Sequence, residues 1–175
     1  MASQFALLFL RRLECPVVIT DVSQERIDKG LAYITEELDK LVAKGRLSTD
    51  NRNRYVGNLS GSLDYAAFSD CDWVIEAVFE ELEIKQQVFA KIEEHVSEEC
   101  ILATNTSSLS VEAIGSKLKH PGRVVGFHFF NPVAVMPLVE VVRAPISSEE
   151  SVATAMEVAK RLKKTAVITS DSAGF

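Results

Sequence analysis

A chain of 175 residues with 47% hydrophobic and 25% charged content can bury a real core and lacks the composition of a disordered segment. A formal charge of −6 and a pI near 5.2 argue against a nucleic-acid surface, and no basic run is interleaved with aromatics. Cys15, Cys71 and Cys100 are an odd, widely spaced set, which fits neither a disulfide framework nor a metal site; buried or inert thiols in a cytoplasmic protein are expected.

In chain order, Met1 to Arg12 reads as a helix, with Phe5, Leu8 and Phe9 at three- and four-residue spacing but no N-terminal cap. Its apolar run Phe5–Leu10 is too short for a signal peptide, and Arg11-Arg12 follow it instead of preceding it. No other segment approaches the roughly 20 apolar residues of a membrane span. Pro16 to Thr20 is a short β-branched run ending at Asp21, the pattern of a buried strand. Ser23 can cap a long helix that runs toward Gly45, and Ser48 can start another.

The chain then alternates. Strands are expected at Trp73–Val78, Cys100–Ala103, Arg123–Phe129, Leu138–Val142 and Ala166–Thr169. Helices are expected at Leu82–His95, at Val111–Leu118 behind Ser110, and at Glu149–Lys163. This alternation predicts βαβ units, hence an α/β domain with a mainly parallel sheet covered on both faces.

Two features carry chemistry. Asp21, just after the first strand, occupies the expected ribose-binding position of a dinucleotide-binding unit, although an acidic residue there also serves as a turn or helix cap. His128 sits at the end of one apolar run and Glu140 inside the next, twelve positions later. That spacing can set a carboxylate against an imidazole and fix its tautomer; the competing readings are a core histidine and an exposed edge-strand glutamate.

The stretches Trp73–Glu80, Ala103-Thr104-Asn105-Thr106-Ser107-Ser108-Leu109 and Gly126 through Val142, together with Asp21, resemble the NAD-binding domain of the L-3-hydroxyacyl-CoA dehydrogenases. The version in multifunctional fatty-acid oxidation proteins is the most similar. The resemblance covers essentially the whole chain, and the Asn-Thr-Ser-Ser-Leu and His-Phe-Phe-Asn-Pro segments in this order are its most specific part. It implies a Rossmann-like, doubly wound fold. Met1-Ala2 resemble the end of the family's Gly-x-Gly-x-x-Gly turn, with Ala2 in place of the third glycine, so the first strand and the Gly-rich turn are expected to be lacking. Residues 1–171 are then the NAD-binding domain, truncated at its N-terminus, and 172–175 begin the linker to an absent helical C-terminal domain.

For the activity, the resemblance implies NAD-dependent oxidation of 3-hydroxyacyl-CoA to 3-ketoacyl-CoA in β-oxidation, by a homo-oligomer or multifunctional complex. His128 is the implied base, which takes the proton of the 3-hydroxyl, and Glu140 orients it. Ser107 is the implied active-site serine, near both substrate and nicotinamide, with a helix cap as its bland role. Asp21, Glu80, Lys85 and Asn131 are implied cofactor contacts, and Lys44 a contact to coenzyme A. Solvated helix positions are the plain alternative for Glu80, Lys85 and Lys44. Two other functions remain open: an inert fragment or interaction module, because phosphate binding needs the Gly-rich turn, and a dehydrogenase of small hydroxy acids, whose catalytic arrangement matches nothing here.

Overall fold

The uncapped apolar stretch at the start of the chain folds as helix α1 (Ala2–Leu13), which buries Phe5, Ala6, Phe9 and Leu10 along one stripe. It ends at Glu14, whose left-handed backbone (φ 53°) turns the chain into strand β1 (Val17–Ile19). Helix α2 (Gln24–Ala43) starts at Ser23, and α3 (Thr49–Gly57) starts at Ser48, whose hydroxyl accepts the Asn51 N–H at 3.1 Å. Both caps are where the sequence puts them. Strand β2 (Leu59–Gly61), which the pattern did not reveal, pairs in parallel with β1. Three residues are too few to show a period, so only the partner strand defines it. The computed structural model describes residues 1–175, and these segments make up the first of two compact units, Met1–Ala67. Its core is Ala6, Leu10, Ile34, Leu38 and Tyr55, drawn from all three helices. Each fully buried Leu or Ile there contributes about 1.5–3 kcal/mol.

The second unit, Phe68–Phe175, holds a five-stranded sheet in the order β3-β4-β5-β6-β7. Its strands are β3 (Trp73–Glu76), β4 (Ile101–Thr104), β5 (Val124–Phe129), β6 (Leu138–Arg143) and β7 (Thr165–Ser170). Helices α4 (Leu82–Glu93), α5 (Val111–Gly115) and α6 (Glu149–Arg161) connect them. All pairings are parallel except β5–β6, which is antiparallel. The expected mainly parallel α/β architecture is therefore present.

Among the expected elements that are shorter than their pattern implies, two have a visible cause. Helix α5 stops at Gly115: the Ser116 hydroxyl bonds back to the Ala113 carbonyl at 2.8 Å, and the Leu118 N–H closes a tight turn on Gly115. Strand β3 ends at Glu76 because the Val78 N–H turns onto the Glu76 carboxylate at 2.9 Å instead of continuing the ladder. No helix is long and apolar enough to cross a membrane.

Strand alternation sorts the sheet into two faces. Trp73, Ile101, Phe127 and Phe129 share one; Trp73 meets Phe127 edge-on at 5.0 Å, and Phe127 meets Phe129 at 5.2 Å. The opposite face carries Glu76, Thr104 and Gly126 in one register row, followed along β5 by His128 and across from it Glu140. The row from Glu76 to the His128–Glu140 pair thus lies on one side of the sheet.

Candidate active site

The polar face leads to the carboxyl ends of β3, β4 and β5, where ligands bind in open α/β sheets. Glu80 lies four residues past the end of β3, and Ser107 three past the end of β4. His128 is the last residue but one of β5, and Asn131 is exposed two residues after that strand.

Antiparallel pairing puts His128 directly opposite Glu140. The imidazole Nδ1 lies 2.8 Å from Glu140 Oε2, and the two side chains are 17% and 15% exposed. An ionised carboxylate accepts only, so it selects the tautomer with the proton on Nδ1 and leaves Nε2 as the acceptor. The Phe130 ring, at 4.8 Å, and the Phe175 ring, at 6.2 Å, flank the imidazole. The pair is half-sheltered yet reachable, as proton exchange with a bound molecule requires.

Ser107 is exposed, and its backbone N–H donates to Glu80 Oε1 at 3.0 Å. It caps no helix: the cap of α5 is Ser110, which accepts the Ala113 N–H at 3.2 Å. The Glu80 carboxylate also accepts the Thr106 hydroxyl and the Ser108 N–H. Partial burial by itself would raise the Glu80 carboxyl, but the Thr106 hydrogen bond, the Ser107 N–H and the Lys85 charge outweigh it and hold it at about 2.

Lys85 does not sit on a solvated helix start. It is completely buried, with its ammonium 2.6 Å from Glu76 Oε1 and 3.3 Å from Glu80 Oε2. Its donors are turned to Glu76, Glu80 and the Val78 carbonyl. The periodicity of α4 gave no hint of this, because a lysine following Ile84 reads as surface until its carboxylate partner is known.

In the first unit, Asp21 is exposed two residues past the end of β1; it accepts the Val22 N–H at 2.7 Å and lies 3.8 Å from Arg26. One carboxylate oxygen is engaged locally, and the exposed group fits a ribose diol. Lys44 is the exposed residue that ends α2.

Two residues escaped the sequence reading. Asn105 joins the strand ends: its N–H donates to the Glu76 carbonyl at 3.0 Å, and its side-chain oxygen accepts the Phe129 N–H at 2.9 Å, next to His128. Thr106, fully buried, receives the Leu109 N–H at 2.9 Å while donating to Glu80. Both stand in the Asn-Thr-Ser-Ser-Leu segment, whose specificity is the signal that marks them.

Residues 1–172 match the family model described as "3-hydroxyacyl-CoA dehydrogenase, NAD binding domain". The chain is 43% identical over 160 residues to a fatty acid oxidation complex subunit alpha from Idiomarina loihiensis, covering 91% of this chain and 23% of that protein. It is 39% identical to the peroxisomal fatty acid beta-oxidation multifunctional protein MFP2 of Arabidopsis thaliana, covering 91% and 22%. The chain therefore spans about a quarter of the length of these relatives. Among solved structures, M. tuberculosis FadB2 superposes with a TM-score of 0.93 at 36% identity, over the whole chain and 62% of FadB2. The 3-hydroxybutyryl-CoA dehydrogenase of Escherichia coli gives 0.95 at 34% identity, over the whole chain and 37% of that one. The Rossmann-like α/β fold expected from the sequence agrees with both.

Proposed function

The chain belongs to the family of 3-hydroxyacyl-CoA dehydrogenase NAD-binding domains, and from that premise we propose that it serves the NAD-dependent oxidation of L-3-hydroxyacyl-CoA to 3-ketoacyl-CoA in fatty-acid β-oxidation. The observation that carries this reading is the 2.8 Å contact between His128 Nδ1 and Glu140 on paired strands. It leaves Nε2 to take the proton of the 3-hydroxyl, while Glu140 stabilises the imidazolium that results. Ser107 donates its exposed hydroxyl to the substrate oxygen. Bound NAD supplies the hydride acceptor for C3. Asp21 takes the ribose hydroxyls, where a carboxylate repels the extra phosphate of NADP, and Asn131 and Glu80 face the cofactor. Lys85, held against Glu80, joins it in contacting the cofactor, and Lys44 meets coenzyme A.

On the same reading, residues 1–171 form the dinucleotide-binding domain, and 172–175 begin the linker that leads away from it. We place the working protein in a homo-oligomer or multifunctional complex in the cytoplasm.

Two measurements test the proposal. NADH titration by fluorescence should show saturable binding to the chain, weakened by Asp21→Ala. Acetoacetyl-CoA reduction by NADH should be measured for the chain alone and for a chimera in which it replaces the matching segment of FadB2. Turnover abolished in the chimera by His128→Ala supports the reading. An active chimera indifferent to both His128→Ala and Glu140→Ala overturns it.

A further inference from the structure

Behind the exposed groups lies a buried ionic cluster whose position asks for more than packing. Glu76 and Lys85 are 0% and 1% exposed at the side chain. Glu76 Oε1 accepts the Lys85 ammonium at 2.6 Å and the Val78 N–H at 2.9 Å, and Oε2 accepts the Thr104 hydroxyl at 2.7 Å. Lys85 in turn reaches the Val78 carbonyl at 3.4 Å and Glu80 Oε2 at 3.3 Å. The two oxygens of Glu80 therefore have separate duties: Oε2 faces the buried ammonium, and Oε1 gathers the donors of the Thr106–Ser108 turn.

We propose that Glu76 is a positioning residue for this site. With Thr104 it anchors Lys85, Lys85 fixes Glu80, and Glu80 holds the turn that presents Ser107, although Glu76 touches no ligand. The physical need is plain. A carboxylate collecting several donors from a solvent-exposed turn holds it only if the carboxylate itself is pinned, and an ammonium can pin it from the interior only if a second carboxylate balances its charge. Glu76 supplies that balance from the same sheet face as His128 and Glu140. Its carbonyl also bonds Asn105, whose side chain holds the strand beside His128. Ser107 and His128 are thus both referred to the end of β3.

The relevance to dinucleotide and substrate binding rests on the proposed function; the positioning itself does not. A purely structural ion pair can be replaced by apolar groups of similar volume without loss of stability. The test is the double variant Glu76→Leu/Lys85→Met of the 175-residue chain, compared with wild type by thermal melting, by amide hydrogen exchange at Ser107 and Ser108, and by NADH titration. The expected result is a melting temperature near wild type, exchange at Ser107 and Ser108 faster by about tenfold, and NADH affinity weaker by about fivefold or more. Wild-type exchange at both amides in a stable double variant would overturn the proposal. Should that variant fail to fold, Glu76→Gln keeps the shape and removes the charge: exchange at least about threefold faster supports the proposal, and unchanged exchange refutes it. If the wild-type chain binds no NADH, the functional reading fails, while the exchange comparison still decides the positioning role.

Discussion

His128 and Glu140 meet because β5 and β6 are the one antiparallel pair of the sheet, and side chains directly across such a pair are about 4.5–5.5 Å apart at Cβ. Glu140→Gln preserves shape but no longer selects the Nδ1–H tautomer or stabilises the imidazolium. On the proposed function, kcat for acetoacetyl-CoA reduction by the FadB2 chimera should fall by about 10²–10⁴-fold, with KM changed far less, as loss of an interaction made in the transition state requires. A proportional rise in KM at constant kcat would instead assign Glu140 to binding. The three thiols also differ at this scale. Burial, reinforced by the neighbouring Cys71, pushes Cys100 up to about 12. At pH 8 it should stay unmodified by a thiol reagent in the folded protein and react only on unfolding, which mass spectrometry of the labelled peptide reads directly.

At the scale of elements, the short helix α5 is held from outside. Asp171, just past β7, accepts the Val111 and Glu112 N–H groups and the Ser110 hydroxyl, each at 2.9 Å. A five-residue helix has too few internal bonds to stand alone, so this distant cap supplies what its own length cannot. Asp171→Ala should cost about 1–2 kcal/mol, measured by denaturant unfolding. Strands β5 and β6 approach closely at Gly126, where an added Cβ would come within 2.5 Å of Val142 Cβ and 2.7 Å of Val142 Cγ2. Gly126→Ala should therefore destabilise by about 1–3 kcal/mol, because the clash is with a rigid β-branched side chain. On the proposed function it should also slow turnover of the FadB2 chimera, since the same two strands carry the His128–Glu140 pair.

For the molecule as a whole, acid sensitivity concentrates in the unit Phe68–Phe175, which contains both Glu80 and Glu93. Burial opposes ionisation of Glu93, yet the Lys119 and His120 N–H groups and Arg123 outweigh it and lower its pKa, while Glu80 is held at about 2. Carboxyls depressed in the folded state bind fewer protons than in the unfolded one. Their stabilisation is complete above the ordinary glutamate range, near 4.5, and is lost as pH falls toward 2. Trp73, the sole tryptophan, lies in this unit and reports on it by fluorescence. Thermal melts should show its transition falling steeply between about pH 4.5 and 2, and Glu80→Gln should flatten that slope; a slope unchanged by the substitution would remove Glu80 from the account.

The amino-acid sequence by itself determined the helices, most strands, the caps at Ser23, Ser48 and Ser110, and the residue types at the site. These depend on periodicity, local hydrogen bonds and recognisable motifs, all of which act over a few positions. Only the tertiary structure decided the rest. Strand β2 exists because β1 lies beside it. Lys85 turns inward because Glu76, nine residues earlier, and Glu80 meet it there. Asp171 caps a helix that begins some sixty residues before it. The His128–Glu140 bond needed the antiparallel register, which twelve positions of spacing permit but do not impose. In each case the free energy of placing a charged or polar group depends on a partner that only folding brings within reach.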